Sequence, residues 1–201
     1  MRIFGPSKEE VWKGFSEEVS GVFYDGGVRD SWWEGESGVL LSHKGLEIKF
    51  DTYQDVFDRM LPQYTRIRTR YRSSNPLNFT IRHKTWIDLL IGLRPGYFVK
   101  TGDTEFDWGF SCRASEKSVL RALLSFSIIR HLVKEISTLE LKSRDKEGWG
   151  IFSNDFPNGT LELYLRIPGV EKDCKKLRLL YHLFTEVLDR LAEIGARTEV
   201  R

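Results

Sequence analysis

Arg66, Arg68, Arg70 and Arg72 alternate with Ile67, Thr69 and Tyr71 in one short run. Successive side chains of an extended strand point to opposite faces. The four guanidinium groups and Tyr64 therefore share one side, while Ile67, Thr69 and Tyr71 take the other. Guanidinium forks match the paired oxygens of phosphate and carboxylate, and a sheet holds such forks at fixed spacing. If residues 77–83 form the antiparallel partner of this strand, Asn78, Thr80, Arg82 and Lys84 add a second row on the same polar side. Arg66, Arg68, Arg70, Arg72, Arg82 and Lys84 are thus the candidate binding residues, for an anionic ligand or an acidic protein surface. The competing reading is a solvated face whose arginines pair with Glu47, Asp51 or the acidic N-terminal part. No recognisable RNA- or DNA-binding motif accompanies the row, which argues against nucleic acid.

Asp103, Glu105 and Asp107 carry the best case for enzymic chemistry. In an extended segment their carboxylates would line one face and could bind a hard divalent cation or activate water. A hydrolase or phosphate-handling enzyme centred on these three acids is the alternative to a non-enzymatic binding domain. Thr101-Gly102-Asp103 reads as a turn, however, where an acid can simply accept backbone N–H groups. His43, His83, His131 and His182 have no ligand spacing. HExxH, paired CxxC, GxxxxGK and GxSxG patterns are all missing, so no metal or cofactor is assigned. Cys112 and Cys174 read as two reduced thiols, which fits a cytoplasmic chain.

The net charge of +2 conceals a strong local asymmetry. Residues 1–59 hold 7 Lys/Arg and 12 Asp/Glu, whereas residues 60–100 hold 8 and 1. A partner would feel that basic segment rather than the total. No signal peptide is recognisable at the start, and no stretch approaches the apolar length of a membrane span.

The elements that must position these residues follow from periodicity. Ser7 and Glu10 fit a capping box before a short helix. Residues 21–38 read as an irregular connection, with Trp32 and Trp33 tucking back onto the domain. Strands are expected at 38–43, 46–51, 64–71, 77–83 and 106–112. A short helix is expected at 85–93, ended by Pro95-Gly96, and one longer helix from a Ser115 cap to Glu135. Residues 137–142, 148–152 and 160–167 read as a three-stranded meander. Leu177, Leu180, Tyr181, Phe184, Val187, Leu188, Leu191 and Ile194 then mark a long amphipathic helix ended by Gly195. The order points to an α+β fold, mostly antiparallel sheet with helices on one face and a long C-terminal helix. A single domain over 1–201 accounts for it, with two strand-rich halves near 38–100 and 101–194. Self-association through a sheet edge or the last helix, as a homodimer, is a third functional reading.

Tyr64-Thr65-Arg66, Thr101-Gly102-Asp103 with Phe106-Asp107, Phe110 and the stretch 120–129 resemble a family of uncharacterised bacterial domains, often attached to membrane segments. The likeness spans about 38–194, and Asp103, Phe106, Asp107 and Phe110 occupy the positions of its Gly-Asp-x-x-Phe-Asp pattern. The resemblance implies no activity. It does imply that Asp103 and Asp107 satisfy backbone donors in a turn, with Phe106 and Phe110 packed beneath.

Overall fold

Alternating apolar and charged residues build one broad sheet with two chemically different faces. The computed structural model describes residues 5–26, 37–54, 63–73, 76–91, 98–136, 138–147, 154–157 and 159–195. Its strands are β1 (Val22–Tyr24), β2 (Gly38–His43), β3 (Leu46–Gln54), β4 (Gln63–Arg72), β5 (Phe79–His83), β6 (Phe110–Ala114), β7 (Glu140–Arg144), β8 (Lys146–Glu147), β9 (Asn154–Asp155) and β10 (Thr160–Pro168). Eight of them form an antiparallel sheet in the order β1-β2-β3-β4-β10-β7-β5-β6, and β8 pairs with β9. The helices are α1 (Lys8–Glu18), α2 (Trp86–Ile91), α3 (Thr104–Gly109), α4 (Lys117–Ser125), α5 (Ser127–Glu135) and α6 (Cys174–Glu193).

One sheet face is apolar. Ile48 and Phe50 of β3, Ile67 and Tyr71 of β4, Leu163 and Leu165 of β10, Leu141 of β7 and Ile81 of β5 are all fully buried there. Trp12 and Phe15 of α1, Leu120 and Leu124 of α4, and Ile129 and Val133 of α5 close the same core. The buried stripe of α6 runs through Leu177, Leu180, Phe184, Val187, Leu188 and Leu191, with Leu183 beside it. Phe15 meets Phe50 with ring centroids 5.2 Å apart, tying α1 to the sheet. The fold is thus α+β, with helices packed on one face of a large antiparallel sheet and a long C-terminal helix. The capping box of α1 forms as its sequence predicts, Ser7 Oγ accepting from the Glu10 amide and Glu10 accepting from the Ser7 amide. Gly38 is required where β2 passes close to its neighbours, because a Cβ there would run into the Phe50 carbonyl and the Tyr24 ring.

Several expectations need correction. Residues 77–83 do not pair with the arginine strand: β5 lies between β7 and β6, and the neighbours of β4 are β3 and β10. A direct β4–β5 hairpin would have set the arginine row beside Arg82 and Lys84 with no carboxylate between them, a repulsive arrangement. Strand β10 instead supplies Glu162 and Tyr164 on that face. Residues 104–109 are helix rather than strand, since the Asp103 side chain accepts from the Phe106 amide and starts α3; β6 begins only at Phe110. The expected helix from 115 to 135 is two helices, broken at Phe126, whose ψ of 111° is extended. Ser115 is no cap either, because its hydroxyl accepts from the Asn78 amide. β7 pairs directly with β10, so no middle meander strand separates them. That strand, at 148–152, lies outside the described residues, as do Trp32, Trp33, Pro95 and Gly96.

Candidate anion-binding face

The second sheet face carries the charges. Cross-strand register sets Asp51, Arg66, Arg166, Glu140, Arg82 and Ser111 in one row across β3, β4, β10, β7, β5 and β6. The next row holds Lys49, Arg68, Tyr164, Lys142, Thr80 and Arg113, and a third aligns Arg70, Glu162 and Arg144. The four arginines of β4 do share one face. Of the second expected row, Thr80 and Arg82 share it too, but with β10 and β7 lying between. Lys84 leaves it, because its ammonium group donates to the Asp107 carbonyl of α3.

Three carboxylates of this face, Asp51, Glu162 and Asp88, are nearly buried and held by arginine; Glu140 is partly buried and also meets an arginine, while Glu47 is exposed. Asp51 accepts from Arg66 through both oxygens, at 2.6 and 2.8 Å, and from Arg68 at 2.9 Å. Glu162 takes two bonds from Arg144, at 2.8 and 2.6 Å. Glu140 meets Arg166 at 2.5 Å. Asp88 reaches in from the first turn of α2 to Arg82 at 2.9 Å and Arg113 at 2.8 Å, and also accepts from the Thr85 amide and hydroxyl. Burial opposes the Asp88 charge, but the Thr85 donors and the two arginines outweigh it and hold the carboxyl below its usual range. At Arg66 burial likewise works against the charge. The bonds it donates to Asp51 and the charge of that carboxylate prevail there, and the guanidinium stays above its ordinary range. Burial keeps Lys142 below the usual lysine range.

Aromatic rings lie between these charges. Arg66 stacks over Tyr53 at 4.8 Å, Arg166 over Tyr64 at 4.6 Å, and Arg144 and Lys142 over Tyr164 at 4.6 and 4.8 Å. Tyr53 and Tyr64 stack on each other at 5.4 Å. The centre of the face is therefore a fixed lattice of cations, rings and carboxylates.

Toward one end the lattice opens. Arg70 and Arg72 are exposed, with Arg70 over the ring of Phe156 at 4.7 Å. An open groove of about 770 Å³ lies alongside, lined by Tyr24, Leu40, Lys49, Arg68 and Arg70, with Asp25, Glu47 and Glu162 among its acids. The groove lining alone is charge-balanced. The surplus comes from Arg72 beyond it and from Arg144, which holds Glu162.

A comparison with protein families finds no match to the chain, and a comparison with curated proteins finds none either. Among solved structures, the mycobacterial trehalose monomycolate transport factor A, TtfA, is similar in fold. The match has a TM-score of 0.56 and 9% identity, covering 96% of this chain and 98% of that one. The likeness is one of fold alone and brings no ligand with it.

Asp103, Glu105 and Asp107 do not converge on a common point of action. Asp103 caps α3 and meets Arg130 at 3.3 Å. The bond from the Phe106 amide, helped by Lys134 and Arg130, keeps its carboxyl below the usual range. Glu105 is exposed and pairs with Lys134 at 2.7 Å. Asp107 accepts from the Thr101 amide and hydroxyl, each at 2.9 Å, and from the Gly102 amide. Gly102 suits that turn, with φ at +86°. Phe106 and Phe110 stack beneath at 4.7 Å. Among the described residues no group of three His, Cys, Asp or Glu could hold a metal ion. Asp107→Ala is expected to cost about 1–3 kcal/mol, through amides left without their acceptor. Chemical denaturation would measure it, and a neutral result would remove the turn role.

Sequence reasoning missed Asp88, Glu140, Glu162, Lys142, Arg113, Arg144 and Arg166. For β7 and β10 the signal was present, since Lys142 is flanked by Leu141 and Ser143, and Glu162, Tyr164 and Arg166 alternate with Leu161, Leu163, Leu165 and Ile167. For Asp88 there was none.

Proposed function

We propose that the chain is a non-enzymatic binding domain. It takes a phosphate- or carboxylate-bearing ligand, or an acidic protein surface, on the outer part of its arginine face. The observation that carries this reading is the imbalance of the face among the described residues. Lys49, Arg66, Arg68, Arg70, Arg72, Arg82, Arg113, Lys142, Arg144 and Arg166 stand against Asp25, Glu47, Asp51, Glu140, Glu162 and Asp88. The inner arginines share the carboxylates, and the exposed pair Arg70 and Arg72 lies beside the groove. A preformed lattice lowers the ordering cost of binding, because its side chains are already held. The acid-centred enzyme alternative draws less support, since Asp103 and Asp107 serve as acceptors for their own backbone. A reducing, cytoplasmic setting suits Cys112 and Cys174, both free thiols.

Arg70→Glu/Arg72→Glu is the decisive variant, because neither side chain is buried and the fold should survive. Wild type should be retained on heparin and on a polyglutamate resin at low salt, and elute as salt screens the contacts. The variant should elute at clearly lower salt on the matrix that mimics the ligand. Equal elution on both matrices would sink the proposal.

A further inference from the structure

Among the described residues, Val22, Trp86, Ile87 and Trp108 are the large apolar side chains left exposed. Val22 sits on the β1 edge. The other three gather at the opposite edge of the sheet. A backbone bond from the Lys84 amide to the Gly109 carbonyl, 2.9 Å, carries the β5–β6 pairing past the strand ends. Trp86, two residues beyond Lys84, and Trp108, next to Gly109, therefore flank the same corner. Their exposures are 71% and 76%, and that of Ile87 is 47%.

Each helix turns its inward groups elsewhere. In α2, Asp88 points back to Arg82 and Arg113. In α3, Phe106 is buried and stacks on Phe110. The two indoles thus add little to the core. Around them stand cations: Lys84, whose ammonium lies 5.9 Å from the Phe98 ring centroid, exposed Lys100, and Arg113 over the same ring at 5.2 Å. The nearby acids are engaged, Asp107 by the Thr101 and Gly102 amides, Glu105 by Lys134 and Asp88 by its arginines.

We propose that this corner docks on an anionic bilayer surface, with Trp86 and Trp108 seated among the headgroups and Lys84 and Lys100 against lipid phosphates. Indoles settle at the headgroup level because one edge is polar and the body apolar. Lysine near an anionic leaflet gains from its surface potential, whereas lysine is depleted in protein–protein interfaces. No helix among the described residues is long and apolar enough to cross a membrane, so for these elements the contact is one of lying on the surface.

The test is co-sedimentation with vesicles of phosphatidylcholine alone, and with about one third phosphatidylglycerol added to supply the negative surface. Wild type should pellet with the anionic vesicles, and Trp86→Ala/Trp108→Ala should lower its partition about tenfold. Exposed Lys100→Glu, an independent variant, should lower it at least about fivefold. Arg70→Glu/Arg72→Glu should leave vesicle partition close to wild type, which separates this corner from the arginine face. Unchanged partition in both corner variants would overturn the proposal. So would loss confined to the arginine variant, or a dimer in sedimentation velocity that dissolves in Trp86→Ala/Trp108→Ala without any vesicle binding.

Discussion

Asp51→Ala should destabilise the fold by about 3 kcal/mol, read as a lower urea midpoint at unchanged slope. The carboxylate is 5% exposed, and the two arginines that hold it, Arg66 and Arg68, are 16% and 17% exposed. Removing it leaves their positive charges in a partly dehydrated sheet face. Across β10, Arg66 faces Arg166, which is already matched to Glu140, so that side supplies no replacement carboxylate. The residual exposure lets water recover part of the loss, which places the expectation at the low end for a broken buried pair. Asp51→Leu/Arg66→Met should regain part of the stability, because both charges leave together. A cost below about 0.5 kcal/mol for Asp51→Ala would show that water satisfies the two guanidinium groups. They would then rejoin Arg70 and Arg72 as candidates for a ligand.

Phe184→Ala should cost about 3–5 kcal/mol, the range for deleting a buried aromatic ring from a packed interior. Phe184 is fully buried in α6, within the core shared by α1, α4, α5 and the sheet. Its removal opens a cavity that several elements would have to move together to fill. Trp108→Ala, a comparable truncation at an exposed site, should stay within about 0.5 kcal/mol of wild type. Parallel urea titrations would read both. A Phe184→Ala cost below about 1 kcal/mol would mean that α6 is not packed as tightly as its burial implies. A large Trp108 cost would give that indole a structural duty and weaken its assignment to a membrane surface.

The α+β class, the arginine parity of β4 and the amphipathic stripe of α6 could all be read locally. Each depends on side-chain direction within one element, and that direction follows from a period of 2 or 3.6 residues. The α1 capping box was legible for the same reason, its donors and acceptors lying three residues apart. Asp103 and Asp107 were harder. A turn and an extended run both place carboxylates near each other in sequence, and only the bond from the Phe106 amide decides for a helix.

The sequence by itself determined that Arg66, Arg68, Arg70 and Arg72 leave one strand on the same side. Tertiary structure alone decided what stands next to them. The neighbours of β4 come from residues 46–54 and 160–168, and strand pairing over such separations leaves no local trace. That pairing sets Asp51 beside Arg66 and Glu162 beside Arg70. A row of like charges thereby becomes a lattice of shared carboxylates with an exposed outer end. The β5–β6 pairing likewise sets Arg113 near Arg82, where Asp88 of α2 meets both, and it brings Trp86 and Trp108 to one corner. Charge pairing and exposure are properties of neighbours in space, so they appear only once the sheet is assembled.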